Sequence, residues 1–309
     1  MTNRIQRFIA FLLVLCIPIF AIAGCTNNDV ANAANQVTTN ANGTYSIDTK
    51  TTTPEGKLDV YMLDIGQGDA ILLKVGDEYS MIDTGDIEHR ENIVAQLKTM
   101  GVTKLKNIII THPHADHMGG FYAIAKAMPI EHVYDDGIAV DNNMYKTYEK
   151  WIEKNKIQRT TLRSGDVVDF GHGAVFVVYA PWVEPLTDKK GETDLNNNSI
   201  VGKLIFGKFS MLFTGDAEWQ EEKKLIKEQN SRLFARILKV GHHGSRTSSS
   251  EDFLKSIRPE SALISNGMYN KYGHPHDVTL RRLQENNIAI YRTDTMGRIH
   301  ISTDGNEWQ

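Results

Sequence analysis

One segment, residues 111–120, constrains this chain more than any other. It reads Thr-His-Pro-His-Ala-Asp-His-Met-Gly-Gly, and it places four possible metal ligands within six residues. The apolar β-branched run at 108–110 directly before it predicts a buried strand that ends where the ligands begin. Four ionisable groups crowded beside such a strand would be costly to bury without a cation. The segment therefore predicts a metal site at the end of a strand.

The spacing of these ligands indicates two cations rather than one. His112 and His114 point to the same side of an extended segment, so both imidazoles can bind one ion. Asp116 and His117 lie where the chain turns towards a predicted helix and can bind a second ion. Imidazole and carboxylate ligands suit Zn²⁺, the first candidate, and Mn²⁺, the second.

Two later segments supply the remaining ligands of such a dinuclear centre. The predicted strand 209–213 leads into Asp216, which can bridge the two ions, and the strand 236–240 leads into His242 and His243. Adjacent side chains diverge, so both histidines are not expected on one ion. We assign His242 to the second ion and a supporting or substrate-facing role to His243, and the reverse order stays open.

These residues resemble a known family. His-x-His-x-Asp-His-x-Gly-Gly is similar to the signature of the metallo-β-lactamase superfamily. The accompanying motifs lie at residues 63–70, 82–85, 196–199, 212–216, 239–245 and 272–275. In content and order they are similar to the β-lactamase-like domain of the ComEC competence proteins, over roughly residues 58–301. The resemblance implies a four-layer αββα sandwich of the α+β/α/β class, with metals at the sheet edges and hydrolase activity.

One departure from the wider superfamily concerns the first ion. Many members supply a third histidine to it, whereas the corresponding region here appears as residues 196–199, Asn-Asn-Asn-Ser. The first ion would then have only His112, His114 and Asp216 from the protein. An Asn carbonyl and solvent are candidates for the open positions, and such an oxygen-rich site brings Mn²⁺ into consideration beside Zn²⁺.

The pattern of apolar residues agrees with a mixed α/β sandwich. Strands are predicted at 58–63, 70–75, 79–82, 107–111, 167–170, 174–179, 200–206, 209–213, 237–240, 262–264, 288–291 and 298–301. Helices are predicted at 91–100, 145–153, 218–228, 250–257 and 279–285. Early hairpins followed by alternating helices and strands favour two mixed sheets covered by helices.

The first residues carry an export signature. Arg4 and Arg7 precede an uncharged apolar run that ends in Ala-Gly-Cys25, which resembles a lipobox; an uncleaved anchor is the alternative. We expect residues 1–24 to be a signal peptide and Cys25 to carry a lipid that anchors the protein on the extracellular face of the cytoplasmic membrane. Residues 25–56 are predicted to be a flexible tether, with a strand at 45–47 as the alternative. Residues 57–309 are the predicted hydrolase domain.

The cysteine count and the net charge limit the possible metal ligands and bear on the possible substrates. The only cysteines are Cys16 and Cys25, so the predicted domain has no thiolate to offer a metal. Loss of Arg4 and Arg7 with the leader would move the formal net charge from −4 to −6. Such a charge gives no global attraction to polyanions, although it does not exclude a nucleic-acid substrate bound in a local basic groove.

Several residues are assigned catalytic or binding roles. Asp116 can orient the nucleophile and accept its proton, and His243 and His274 can act on the substrate. Asn197, Ser199 and Ser245 are candidate substrate-binding residues. For His274 a loop-stabilising role stays open, and for Ser245 a helix-capping role. Asp69 and Asp83 are expected to orient imidazoles or fix turns.

Three functions remain open from the sequence. The first is a dinuclear phosphodiesterase, a nuclease acting on DNA, as the resemblance to ComEC implies. The second is a phosphoester or phosphorylcholine esterase acting on cell-surface polymers, and the third a non-catalytic binding module that kept the fold. No protein partner is predicted.

Overall fold

The computed structural model describes residues 37–39, 45–47 and 54–309. The strands β1 (Val37–Thr39) and β2 (Tyr45–Ile47) pair antiparallel. They lie inside the segment predicted to be a tether, and β2 coincides with the strand that the sequence left open there. The predicted leader and Cys25 lie outside the described residues.

The first sheet has seven strands in the order β16-β3-β4-β5-β6-β7-β8. Their bounds are β3 Leu58–Met62, β4 Ala70–Val75, β5 Glu78–Thr84, β6 Leu105–Ile110, β7 Ile130–Asp135, β8 Gln158–Thr161 and β16 Ile299–Thr303. The strands from β16 to β5 pair antiparallel, and those from β5 to β8 pair parallel. The carboxyl ends of β5 and β6 therefore lie at the same edge of the sheet.

The second sheet also has seven strands, in the order β15-β14-β13-β12-β11-β10-β9. Its strands are β9 Val167–Gly171, β10 Ala174–Ala180, β11 Val201–Phe206, β12 Phe209–Phe213, β13 Ile237–Lys239, β14 Ser261–Ile264 and β15 Ala289–Arg292. The strands β9 to β12 pair antiparallel and β12 to β15 pair parallel. The carboxyl ends of β12, β13 and β14 consequently share one edge.

Helices cover the outer face of each sheet. They are α1 Arg90–Thr99, α2 Ala115–Met118, α3 Phe121–Ala127, α4 Asn143–Asn155, α5 Trp219–Gln229, α6 Glu251–Ile257, α7 Asp277–Glu285 and α8 Thr293–Met296. The helices α1 to α4 pack on the first sheet, and α5 to α7 pack on the second. Among the described residues, no helix combines the length and the apolar character needed to cross a bilayer.

The core between the sheets is aromatic and aliphatic. Phe176 contacts Phe170 and Phe213, with ring centroids 6.2 and 6.1 Å apart. Residues of β3 that face the same core, such as Val60 and Met62, alternate with partly exposed ones along the strand. Each fully buried side chain of this size contributes about 1.5–3 kcal/mol to stability. The architecture is the predicted four-layer αββα sandwich.

Six elements were not predicted from the sequence: β1, β7, β8, α2, α3 and α8. The strand β8 (Gln-Arg-Thr-Thr) lies at the edge of its sheet with mostly exposed side chains, so it lacks the apolar alternation that reveals a strand. The strand β7 contains Glu131, His132 and Asp135 among its six residues and shows a similarly weak pattern.

Candidate metal centre

The described residues bring the predicted ligands together where the two sheets meet. The motif after β6 comes from the first sheet, while Asp216 follows β12 and the two adjacent histidines follow β13 in the second. Ligand atoms of Asp116, His117, Asp216 and His243 all lie within 4.8 Å of one another. Segments far apart in the chain thus converge on one point.

A second group of ligand atoms shares Asp216. It consists of His112, His114 and Asp216, again within 4.8 Å of one another. The Nε2 atom of His112 lies 3.0 Å from Nδ1 of His114 and 3.9 Å from Oδ2 of Asp216. Both predicted pairs, one for each ion, are therefore found on opposite sides of one carboxylate.

The two oxygens of Asp216 separate the imidazoles into two sets. Its Oδ1 atom lies 3.1 Å from Nε2 of His117 and 3.5 Å from Nε2 of His243. Its Oδ2 atom faces His112 and, at 3.7 Å, Nε2 of His242. A carboxylate with one oxygen towards each set has the geometry of a bridging ligand.

This arrangement favours the reverse order of the adjacent histidines, which the sequence left open. The sequence pattern favours His242 as ligand of the second ion, but it is His243 that joins Asp116 and His117, with Nε2 3.3 Å from Oδ2 of Asp116. His242 lies on the other side of Asp216, and its Nδ1 atom is 3.1 Å from a carboxylate oxygen of Glu218. We therefore exchange the two roles.

Both histidines of this turn have left-handed backbone angles, with φ of +48° for His242 and +52° for His243. Such angles are uncommon outside glycine and cluster at functional sites. The turn is fixed by hydrogen bonds from His242 N to Gly215 O (3.1 Å) and from Ser245 N to His242 O (2.8 Å). These angles direct the neighbouring imidazoles to different sides of Asp216.

Buried partners orient the ligating imidazoles. Nδ1 of His117 lies 2.7 Å from Oδ2 of Asp83, whose carboxylate also accepts hydrogen bonds from the backbone N–H and hydroxyl of Thr111. Nδ1 of His243 donates to the backbone oxygen of Ser265 at 2.9 Å. In each ring the partner of Nδ1 leaves Nε2 free to bind a metal, which is the usual arrangement around such sites.

Asp69 supports the site through charge. It lies 3.5 Å from Nδ1 of His243 and forms a buried ion pair with Lys239 at 2.6 Å. Burial alone would raise the pKa of Asp69, but Lys239 and His243 outweigh it and lower the pKa to about 2. Asp69 and Asp83 are thus close to imidazoles in the way that the sequence suggests.

The loop that carries Asp69 also contacts the ligand motif directly. Asp69 N donates to the backbone oxygen of Asp116 at 3.0 Å. Gly68 has a φ of +122°, and a Cβ atom at this position would collide with the same oxygen. Glycine at position 68 is therefore required by the close approach of two backbones.

The donor atoms fit a metal ion. Within the described part of the chain, Nε2 of His117, Nε2 of His243 and Oδ1 of Asp216 are buried and have no hydrogen-bond partner. The two imidazole nitrogens lie 3.1 and 3.5 Å from Oδ1 of Asp216, and all three atoms belong to a group within 4.8 Å. Buried polar atoms without partners are costly, and a divalent cation bound by all three would satisfy them.

The carboxylates of the site shift the pKa values of its imidazoles. Burial disfavours a charged imidazole, yet Asp216 and Asp83 raise the pKa of His117 well above its usual value, and Asp216, Asp116 and Asp69 raise that of His243 to about 10. Burial instead lowers the pKa of His112 well below its usual value, and His117 adds to this effect. Protons held on His117 and His243 would have to leave when a metal binds.

The three candidate substrate-binding residues have structural contacts instead. Asn197 accepts hydrogen bonds from the backbone N–H groups of Glu218 and Glu221 and donates to Asp194, so its side chain holds the start of α5. Ser199 accepts from the backbone N–H of Asp216 at 3.0 Å and is buried. Neither side chain lines the cavity over the metal ligands.

Ser245 also falls outside the cavity lining. Its hydroxyl lies 2.9 Å from the hydroxyl of Thr247, and the cap of α6 is Ser250, which accepts from Phe253 N. These contacts do not support substrate binding by Asn197, Ser199 and Ser245, which stays a prediction. Asn196 is the member of its Asn run that faces the cavity, and its Oδ1 atom is buried without a partner.

The cavity over the centre measures about 580 Å³. Its lining residues are Gln67, Asp86, Glu88, His89, His114, Ala115, Asp116, Asn196, Asp216, His242, His243, Asn270, Lys271, Tyr272 and His274. His274 lies there as predicted, 5.4 Å from the His242 ring between centroids. Burial and the nearby His243 lower its pKa to about 4, which favours a neutral ring that can hydrogen-bond substrate.

Sequence reasoning missed Glu218. Its carboxylate accepts from the Thr247 hydroxyl at 2.9 Å and lies beside Nδ1 of His242, which fixes that ring. Burial alone would raise the pKa of Glu218, but hydrogen bonds from His242 and Thr247 lower it, so the carboxylate stays ionised. In the sequence, only its position two residues after Asp216 could have indicated a role at the site.

Comparisons with known proteins agree with this geometry. The family model described as the metallo-β-lactamase superfamily matches residues 63–267. The chain is 29% identical over 249 residues to Competence protein ComA of Neisseria gonorrhoeae, covering 80% of this chain and 33% of that protein. It is 30% identical over 264 residues to ComE operon protein 3 of Bacillus subtilis, covering 79% and 33%. The chain thus spans about a third of the length of these curated relatives.

Solved structures share the fold. The metallo-β-lactamase fold protein YhfI from Bacillus subtilis superposes with a TM-score of 0.52 at 11% identity, over 77% of this chain and 96% of that one. Zn²⁺-bound PqqB from Methylobacterium extorquens superposes with a TM-score of 0.50 at 10% identity, over 76% and 87%. At such identities the likeness concerns the fold alone.

Proposed function

The chain belongs to the metallo-β-lactamase superfamily, and from this premise we propose that it is a dinuclear metal-dependent phosphodiesterase that cleaves DNA. The observation that carries the proposal is the convergence of six candidate ligands around Asp216, three of whose buried atoms lack hydrogen-bond partners. A binding module that had lost catalysis would be expected to have lost ligands as well. The similarity to proteins named for competence and recombination favours DNA as the substrate.

Each residue of the centre has a distinct task in this proposal. Bound divalent cations would supply charge for the phosphoryl oxygens and lower the pKa of a water nucleophile. His112 and His114 would hold one cation, His117, His243 and Asp116 the other, and Asp216 both. Asp116, which is partly exposed to the cavity, is placed to accept the proton of the attacking water.

The walls of the cavity would position the substrate. His242, fixed by Glu218, presents Nε2 beside Asp216, and neutral His274 offers a further hydrogen bond. Of the charged residues in the cavity lining, Asp86 and Glu88 would repel a phosphate backbone, whereas Lys271 would attract it. On the basis of Arg4, Arg7 and Cys25 we further propose that the enzyme acts outside the cytoplasmic membrane, anchored by a lipid on Cys25.

A substrate panel tests the proposal. The protein, loaded with Zn²⁺ or Mn²⁺, is incubated with a single-stranded oligonucleotide, bis(p-nitrophenyl) phosphate and phosphorylcholine-bearing teichoic acid. We expect cleavage of the oligonucleotide and of bis(p-nitrophenyl) phosphate, lost in His112→Ala and Asp116→Ala but kept in His300→Ala, whose imidazole pairs with Asp59 on the surface. Turnover of teichoic acid alone would establish the esterase instead, and turnover of nothing with either metal would overturn the enzyme assignment.

A further inference from the structure

The loop of residues 266–275, called here the aromatic loop, exposes three large apolar side chains, of which Tyr272 lines the cavity over the metal ligands. Tyr269 is 96% exposed, Met268 64% and Tyr272 52%. Three of the eight large hydrophobic residues found exposed in the described part of the chain thus lie within five consecutive positions. Such a concentration marks a surface that contacts something outside the protein.

The aromatic loop is held in place from within. The side chain of Asn270 donates to Gly267 O (2.9 Å) and His274 O (2.6 Å), and it accepts from the N–H groups of Tyr272 (3.2 Å) and His274 (3.0 Å). Gly267 packs so closely on the backbone of Gly66 and Gln67 that a Cβ atom would collide there. The exposed rings are therefore presented by a fixed backbone and do not need to be ordered on binding.

Tyr269 has an unfavourable backbone conformation. Its φ is +54°, a region in which a bulky side chain is a steric outlier and which glycine or asparagine would adopt more easily. An almost fully exposed ring at this position adds no packing that would offset the strain.

Aromatic rings lead from the aromatic loop to the ligands. The Tyr272 ring stacks on His274 with centroids 5.7 Å apart, and the His274 ring lies 6.3 Å from that of His243. Lys271 Nζ lies 5.1 Å from the centroid of the Tyr272 ring. Lys271, Tyr272 and His274 line the same cavity as Asp116 and Asp216. A flat ligand stacked on Tyr272 would thus be next to a phosphodiester held at the centre.

We propose that Tyr269 and Tyr272 form a stacking platform for the bases that flank the scissile phosphodiester, so that the substrate is a single strand with unpaired bases. The inference rests on the proposed phosphodiesterase function and specifies its substrate. Base–aromatic stacking tolerates any sequence because every base has a π-face, and a neighbouring cation adds attraction for the backbone. Paired bases inside a duplex are not available for such stacking.

Strands with and without bases test the platform. Binding of a fluorescent oligo-dT and of an abasic strand of equal length and charge is measured by anisotropy in the uncleaving His112→Ala background. We expect oligo-dT to bind more tightly, and Tyr269→Ala or Tyr272→Ala to weaken that binding about five- to 150-fold while changing abasic binding by less than twofold. Tyr269→Phe should restore the affinity, since it keeps the ring.

A tyrosine elsewhere on the surface provides the matched control. Tyr122 is 41% exposed and packs on Trp151, away from the cavity, so Tyr122→Ala should bind both strands as the parent does. Equal binding of the two strands by the parent, or equal losses in the alanine variants, would overturn the platform. Loss of binding to anionic phospholipid vesicles without loss of DNA binding would also overturn it, by assigning the aromatic loop to a membrane.

The two proposals fail in different ways. A protein that cleaves DNA but shows no dependence on Tyr269 or Tyr272 keeps its proposed function and refutes the platform. A protein that cleaves no phosphodiester, yet prefers oligo-dT through these tyrosines, supports the platform and refutes the enzyme.

Discussion

Nε2 of His243 lies 3.3 Å from Oδ2 of Asp116, although the two residues follow strands of different sheets. The contact exists only when the sandwich is closed, because Asp116 belongs to α2, which follows β6, and His243 to the turn after β13. Metal binding between them would link the sheets at this edge. Binding and folding are therefore expected to depend on each other.

Substitution of the adjacent histidines should separate their roles. We predict that His243→Ala loses about one of two bound ions per chain, since it removes a ligand atom from the group of Asp116 and His117. His242→Ala should keep both ions, because Nδ1 of His242 is paired with Glu218 and its Nε2 lies outside that group. Metal content after gel filtration, measured by mass spectrometry, distinguishes them. Loss of an ion in His242→Ala alone would restore the sequence-based assignment.

The sequence predicts the ligand types but not their final orientation. The four ligands in residues 112–117 can be predicted because a strand followed by a turn limits the directions of their side chains. The roles of His242 and His243 depend on left-handed backbone angles, which the residue types do not reveal. The role of Asn197 was equally hard to predict. Its amide could bind a substrate, but in the structure its oxygen accepts hydrogen bonds from the backbone at the start of α5.

The secondary structure, too, is only partly predictable from the sequence. Buried strands such as β10 and β12, whose residues are buried along their whole length, are predictable from continuous apolar runs. The edge strand β8 depends on pairing with β7, and its exposed polar side chains leave no pattern to detect. Tertiary pairing, not local preference, decides its conformation.

The metal-free protein should become less stable as the pH rises above neutrality. The pKa of His243 is raised from 6.5 to about 10 in the folded state, because Asp216, Asp116 and Asp69 outweigh burial. A raised pKa contributes stability fully below the unfolded value, and that contribution is lost as the pH rises from about 6.5 through about 10. Urea unfolding in the presence of a chelator measures this loss, and His243→Gln should flatten the curve between those values.

The affinity for metal should change with pH in the opposite direction from the stability of the metal-free protein. Since protons compete with the metal for His243, binding should tighten as the pH rises towards about 10, by up to about tenfold per unit for each displaced proton. Competition titrations against a chelator of known affinity follow the change. A metal affinity that stays constant over this range would show that no buried proton is displaced.

Removal of the Asp83 carboxylate should weaken metal binding without removing a ligand. Nδ1 of His117 lies 2.7 Å from Asp83, which fixes the ring that presents Nε2 to the centre. Loss of such a supporting carboxylate typically reduces metal affinity about 10- to 100-fold, so Asp83→Ala should show a loss of this size in chelator competition. The surface pair Asp59–His300, at 2.8 Å, offers a matched control in which Asp59→Ala leaves affinity unchanged. Equal affinities in the two variants would contradict a supporting role for Asp83.

The buried pair of Lys239 and Asp69 should affect stability more than any surface pair. Its atoms are 2.6 Å apart and both side chains are almost completely buried. Lys239→Met leaves the Asp69 carboxylate buried without its cation, which typically costs about 3–5 kcal/mol in the free energy of unfolding. The double variant Lys239→Met with Asp69→Asn removes both charges and should recover part of the loss.

Lys104→Met, which breaks an exposed pair with Glu131, should cost about 1 kcal/mol or less. Urea unfolding of the four proteins, each with chelator, gives the comparison, and a loss in Lys239→Met no larger than that in Lys104→Met would show that the buried carboxylate does not depend on Lys239.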